Sequence, residues 1–418
     1  MVKNMGKNEV FKLITKNKNY RKLLITTMIT GLTQWGAFIA MLVLIGNITS
    51  SGLQLGALWA VSGLFPIFMS FLLGGIIDRY DTKKVLFISE FLKVPFYLLF
   101  ILVPFFEGWT AWILFFVIRF VVGLLQSVTT IVRQTIIPEM MPDEDLITAN
   151  SLNFTLTSFI RLIGAATGGL VVSFFSLNIF WIITSISFVY AGFAMLNLDI
   201  KRKKISNKER NFVKEIKVGL QVAKNNVFVS YVLLFALTGG LIIGSFNLMI
   251  ERMVNEVYQV PPFGLSVLYI AEGLTSVIVG YWIANNKIMF KKVHNYGYIY
   301  ILMGLTWALF SLTNNLFTGS LIMIAFAFVG GFVVPFERNV MQIKVNPDLR
   351  GRVFGLWNTC SMLSMQVGAL FTGIIIQYLG NRFVTPILSM LEILLGIVFL
   401  FYFINEKKKD DNYENKTI

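Results

Sequence analysis

The chain has 418 residues, of which 56% are hydrophobic and only 14% charged, with a formal net charge of +14. A mean hydropathy of +0.71 excludes an ordinary soluble domain of this length. The positive charge does not point to nucleic acid, because the bases fall in the short gaps between apolar runs, where membrane topology places them.

Apolar runs long enough to cross a bilayer recur from end to end. The first is too long for a cleavable leader, and no small-residue cleavage site follows it. Twelve spans are expected: 22–47, 52–77, 84–106, 109–137, 148–175 and 178–198, then 226–252, 262–286, 295–315, 317–344, 350–379 and 381–404. The expected fold is an all-α membrane protein of two pseudo-symmetric six-helix bundles. The expected divisions are a first bundle over 1–198, a basic linker over 199–225, a second bundle over 226–404 and a tail over 405–418. The linker carries nine Lys or Arg. Phe212, Ile216 and Leu220 share one side of an amphipathic surface helix within it, suited to anionic headgroups.

Base placement sets the orientation. With both termini in the cytoplasm, the Lys and Arg residues outside the spans fall inside the cell, except Arg252 and Arg382. Lys93, Arg119 and Arg161 lie within spans. The lone Cys360 permits no intramolecular disulfide and reads as packing. The lone His294 has no companions for a metal site, and no cofactor is expected.

The two halves carry a repeat. "RQTIIPEMMP" from Arg133 and "RNVMQIKVNP" from Arg338 both place Pro nine residues after Arg, and Asp143 and Asp348 follow. With a slip of one residue, Gly164 and Gly169 correspond to Gly368 and Gly373. Each stretch joins the fourth and fifth spans of its half, as in a duplicated transporter with its site between the halves.

These landmarks resemble the major facilitator superfamily, and within it the drug–proton antiporter group that contains the macrolide efflux proteins and the enterobactin exporter. The carrying motifs are Gly74, Asp78, Arg79, Lys83 and Lys84 after the second span, Arg119 with Gly123 in the fourth, "RQTIIPEMMPDEDLITANSL" after it, and "GAATGG" in the fifth. Ala165 stands where the antiporter motif has Pro, and Gln34-Trp35 occupies a first-span region where many relatives carry an acid. Asn285 and Asn286 replace the Asp-Arg pair in the second half. The resemblance implies a cytoplasmic latch, in which Asp78 meets the N-terminus of the eleventh span. Gly74, Arg79, Lys83 and Arg133 belong to the same device. A carboxylate at a helix C-terminus needs such a partner, and a contact of this kind contributes about 0.3–2 kcal/mol. Simple charge balance against Lys83 and Lys84 is the competing reading.

Charges deep in spans require a cavity or a partner. Arg119 and Arg161 lie in the first half, and Glu272 and Glu392 in the second. A buried carboxylate poised between desolvation and a cation can exchange a proton, so these four are candidates for proton coupling. Static pairing is the alternative, favoured for Glu392. Glu90 and Lys93, three residues apart, suit a local helix pair. Trp35, Phe38, Phe154, Trp307, Phe332 and Trp357, with Glu272, are candidates for the substrate wall. Gly164, Gly168 and Gly169 suit close helix packing.

The chain holds no GxxxxGK[ST] loop and no nucleophile–base set, so an enzyme is not expected. The expectation is a monomeric, proton-coupled exporter of an amphiphilic compound such as a macrolide, in a bacterial plasma membrane. A siderophore or metabolite exporter is the nearest alternative, and a non-transporting sensor a third.

Overall fold

The computed structural model describes residues 13–49, 51–61, 63–64, 81–141, 145–198, 212–285, 294–345 and 347–414. Gly74, Asp78 and Arg79 of the expected latch lie outside the described residues.

The described chain is helical. In the first half α1 is Lys18–Ile48, α2 Gly52–Val61, α3 Thr82–Leu99, α4 Gly108–Met140, α5 Leu146–Phe174 and α6 Asn178–Leu196. A linker helix, α7, covers Phe212–Asn225. The second half holds α8 Val227–Arg252, α9 Phe263–Asn285, α10 His294–Phe310, α11 Leu316–Lys344, α12 Pro347–Leu379 and α13 Asn381–Glu414. Among the described residues, nine helices are long and apolar enough to cross a bilayer.

Short polar side chains start several of these helices. Asn17 accepts the Tyr20 N–H at 3.0 Å to open α1. Asp81 accepts the Lys83 N–H at 2.9 Å to open α3. Asn226 and Asn315 do the same for α8 and α11, accepting from Val229 and Thr318 at 3.3 and 2.9 Å. Each side-chain oxygen satisfies an N–H that the first helical turn leaves free. At the other end of a span, Gly380 sits at φ +91 between α12 and α13, a conformation that suits a residue without Cβ.

Contacts divide the chain into two units. The first holds 1–50 and 61–207, and the second 51–60 and 208–418. This differs from the expected continuous halves in one stretch: residues 51–60 pack with the second unit. Gly52 and Gly56 of α2 lie against Gly373 of α12 there, and Ser51 Oγ donates to Gln377 Oε1 at 3.0 Å.

Inside the first unit α1 packs on α5 and α6, and α3 on α4 and α6. Inside the second, α8 packs on α12 and α13, and α10 on α11 and α13. Counting spans from each half's start, the pairs are the same: first with fifth and sixth, third with fourth and sixth. The repeated landmarks therefore accompany a repeated packing scheme.

Small residues set the closest approaches. Gly168 faces Gly36 Cα, so a Cβ there would lie 3.0 Å from it, and Gly164 faces Trp35. Gly169 is buried, and its carbonyl accepts the Ser173 hydroxyl at 2.7 Å. Across α8 and α12, a Cβ on Gly244 would overlap the Met365 carbonyl, and one on Gly368 the Leu241 carbonyl. Such contact lets backbones approach and gains dispersion without help from water.

The linker helix α7 lies along α12, with Gly219 against Leu356 and the Arg352 carbonyl. Leu220 is exposed. The side chains of Phe212 and Ile216, expected on one face of this helix, lie outside the described set.

The two bases expected outside the cell have local partners. Arg382 Nη1 donates to the Ser311 and Thr313 carbonyls at 2.6 and 2.8 Å, and Nη2 to Asn314 Oδ1 at 2.7 Å, closing the C-terminal end of α10. Arg252 pairs with Glu251 and Glu256, and Asn381 donates to Glu256.

The close approach of α8 and α12 leads to an expected outcome. Gly368→Val lowers the melting temperature of the purified protein in detergent, because the added methyls meet backbone. Gly280→Ala, at a site with no heavy atom within 4 Å of the new Cβ, leaves it unchanged. Equal melting temperatures for Gly368→Val and the parent would contradict this packing.

Candidate functional site

The first unit carries a half-open cavity of about 370 Å³. Its wall comes from three helices. α1 supplies Thr27, Thr30, Gly31, Gln34, Trp35 and Phe38, α4 supplies Gln126, Thr130 and Arg133, and α5 supplies Asn153, Thr157 and Ile160. The spacing explains the grouping. Thr27, Gly31, Gln34 and Phe38 recur every three or four residues, so they form one face of α1. Gly31 and Gly164 keep that face close to α5, with Ile160 and Trp35 in the contact. Trp35 and Phe38 meet edge to face, their ring centroids 5.3 Å apart.

Behind the polar wall lies a buried charge cluster. Glu90 of α3 accepts from two cations: Lys93 Nζ at 3.0 Å on Oε2 and Arg133 Nη2 at 2.7 Å on Oε1. Lys93 is fully buried and Glu90 is 1% exposed. Lys93 also donates to Gln126 Oε1 at 2.8 Å and Thr129 Oγ1 at 2.9 Å, and its ammonium lies 4.9 Å from the Phe188 ring centroid. Gln34 Nε2 donates to the same Gln126 oxygen at 2.8 Å, and Arg133 Nη1 donates to Thr27 Oγ1 at 3.0 Å. An ammonium this deep is tolerated because every direction it points finds an acceptor or a ring. Gln126 and Arg133 belong to both the cluster and the cavity wall, so a molecule in the cavity would touch the cluster directly.

The four proton-coupling candidates lie in different surroundings. Arg119 is half-buried beside Tyr97. Arg161 has an exposed side chain on α5, one turn beyond Thr157. Glu272 is half-buried on α9 and accepts the Ser276 hydroxyl at 3.1 Å. Glu392 is different: it is fully buried, and among the described residues neither carboxyl oxygen has a hydrogen-bond partner. The static pair favoured for it from sequence is not formed.

The aromatic candidates separate. Trp35 and Phe38 line the cavity. Trp307 departs from the expectation. It is fully enclosed, stacked on Phe310 and Phe246, and donates to Ser245 Oγ at 3.1 Å, so it is a packing residue of the second unit with no surface open to cargo. Phe332 is also buried, edge-on to Trp282 and Phe328. Trp357 is half-buried and donates its Nε1–H to Glu337 Oε2 at 3.0 Å. Phe154 lies on α5, and its side chain is outside the described set. Lys83 is half-buried at the start of α3, while Arg133 is engaged with Glu90 on the cavity wall.

One residue was legible only in part, and another escaped the sequence reading. Glu90 was read as half of a local pair, whereas it bridges two cations on separate helices. Glu337 was not singled out. It is 3% exposed and accepts the Tyr300 hydroxyl at 2.5 Å as well as the Trp357 N–H. Its signal was present as an acid at the end of the apolar run "FVGGFVVPFE".

Comparison with known proteins agrees with this architecture. The chain is similar to macrolide efflux protein A of Streptococcus pyogenes, 22% identical over 353 residues, which cover 81% of this chain and 84% of that protein. Its fold is similar to that of a bacterial homologue of the iron transporter ferroportin in an inward-facing state, with a TM-score of 0.69 and 14% identity over 92% of this chain and 98% of that one. It is also similar in fold to the nucleoside transporter NupG, with a TM-score of 0.65 and 16% identity over 92% of this chain and 99% of that one. A model of the Major Facilitator Superfamily matches residues 23–368. With a match running through most of both units, this multi-pass membrane protein belongs to the Major Facilitator Superfamily, whose members are transporters and not enzymes.

Proposed function

We propose that the chain is a secondary active exporter of an amphiphilic small molecule, driven by proton antiport through alternating access. In this reading it works as a monomer in a bacterial plasma membrane, with both termini in the cytoplasm. The observation that carries it is the cavity of the first unit, where the Trp35 and Phe38 rings stand beside Gln34, Gln126, Arg133 and Asn153. Rings hold an apolar body by contact, and the amides and guanidinium fix its polar groups. The similarity to a macrolide efflux protein supports a macrolide as the first compound to assay. The family's cytoplasmic latch, with Gly74, Asp78, Arg79, Lys83 and Arg133, remains part of this proposal.

A second reading has its own observation. Arg133 presents a guanidinium at the cavity wall, a group that recognises carboxylates. An acidic cargo such as a siderophore fits that feature better than a cationic drug.

Two experiments follow. Cells producing the protein and loaded with a fluorescent amphiphile are expected to extrude it, and a proton uncoupler is expected to stop extrusion. Extrusion that continues unchanged with the uncoupler would remove proton antiport from the account. Replacing Arg133 tests the cavity. A hydrogen bond to a charged group contributes about 1.5–3 kcal/mol, so Arg133→Gln is expected to raise the half-saturating cargo concentration by roughly tenfold or more. An unchanged value would place the cargo elsewhere.

A further inference from the structure

The second unit buries two carboxyl side chains without a base within salt-bridge distance of either, among the described residues. Glu337 projects from α11 and Glu392 from α13, at 3% and 0% exposure. The same stretch of α8 links them: Phe235 stacks on Tyr300, which donates to Glu337, and Gly239, one turn further on, faces Glu392. The two oxygens of Glu337 accept from Tyr300 and Trp357, donors that cannot neutralise a carboxylate. Among the described residues, Glu392 has no donor on either oxygen. Ser389 Oγ, one turn earlier on α13, and the Tyr296 hydroxyl are also buried without a well-formed hydrogen bond. Gly239 of α8 faces Glu392, whose Oε1 lies 4.0 Å from where a Cβ would sit.

The surroundings are rings. Phe235 stacks on Tyr300 at 3.6 Å, Phe336 stacks on Tyr296 at 4.7 Å, and Phe399 meets Tyr296 at 5.5 Å. The titratable groups that act on the two acids are Tyr296 and Tyr300 from α10, and Arg338 from α11, whose side chain is exposed. α8 contributes Gly239 and α12 contributes Trp357, neither of which titrates.

Two ionised carboxylates would each lose hydration here, gain no counter-ion and repel each other. A single proton on the pair removes one charge and the repulsion together, and the two groups then titrate as a unit. We propose that Glu337 and Glu392 form a proton-holding carboxyl pair enclosed in the second unit, with the Tyr300 hydroxyl bonded to Glu337. Uptake forms one O–H bond on a carboxylate oxygen and breaks one in hydronium, and release reverses this with no redox change. The pair differs from the cluster at Glu90, where Lys93 and Arg133 supply the positive charge. Its role as the coupling site rests on the proton-antiport reading above, but the bound proton itself does not.

Infrared spectroscopy of the purified full-length protein tests this. The carboxylic-acid C=O band of a neutral acid in an apolar setting is expected at neutral pH. Glu392→Gln should abolish or halve it, and Tyr300→Phe, which keeps the ring on Phe235, should shift it. Glu272→Gln should leave it in place. A band unaltered by Glu392→Gln, Glu337→Gln and Tyr300→Phe would overturn the proposal. So would a band that sodium removes at constant pH, which would make the pair an alkali-cation site. If the band behaves as expected while extrusion ignores the uncoupler, the pair stands and the antiport reading falls.

Discussion

A charge carried into hydrocarbon must bring its neutralisation with it, and the arrangement of both units follows from how that demand is met. Water cannot help at the depth of Lys93, so the ammonium is surrounded by Glu90, Gln126, Thr129 and the Phe188 ring. These partners come from α3, α4 and α6, and the cluster therefore fixes the mutual placement of three helices. Arg133 extends it to the cavity wall, where one oxygen of Glu90 and one hydroxyl of Thr27 hold the guanidinium. The cavity wall and the buried cluster share the same residues in this unit.

The second unit meets the demand differently. Arg382 satisfies carbonyls at the end of α10, and Arg252 is held by neighbouring acids, so both bases are locally compensated. Among the described residues, Glu337 has two donors, and Glu392 has none. A packing scheme repeated between the units thus holds two unlike polar interiors, one balanced by cations and one with two buried acids that have no base within salt-bridge distance among the described residues.

Much of this was legible in the chain. Apolar runs gave the helices because a bilayer enforces backbone hydrogen bonding within each span. The Arg-to-Pro spacing from Arg133 and Arg338 pointed to a repeat that the helix pairing shows. Glu90 and Lys93 read as a pair because three residues bring side chains to one face. Other features depended on contacts between distant segments. No local pattern joins Glu90 to Arg133, 43 residues apart, or Glu337 to Tyr300, 37 residues apart. Trp307 was taken for cargo contact because an aromatic in a span looks alike whether it faces a cavity or a core. The attachment of 51–60 to the second unit rests on glycine contacts with α12, which composition cannot reveal.

The central claim is that buried charges here stand or fall together, and a double-mutant cycle on Glu90 and Lys93 tests it most directly. Thermal melting of the purified protein would compare Glu90→Gln, Lys93→Met and the two combined. Removing one partner of a buried ion pair costs about 3–5 kcal/mol, because the other is left uncompensated. The account predicts that Glu90→Gln lowers the melting temperature sharply and that adding Lys93→Met restores much of the loss. Losses that simply add would contradict it.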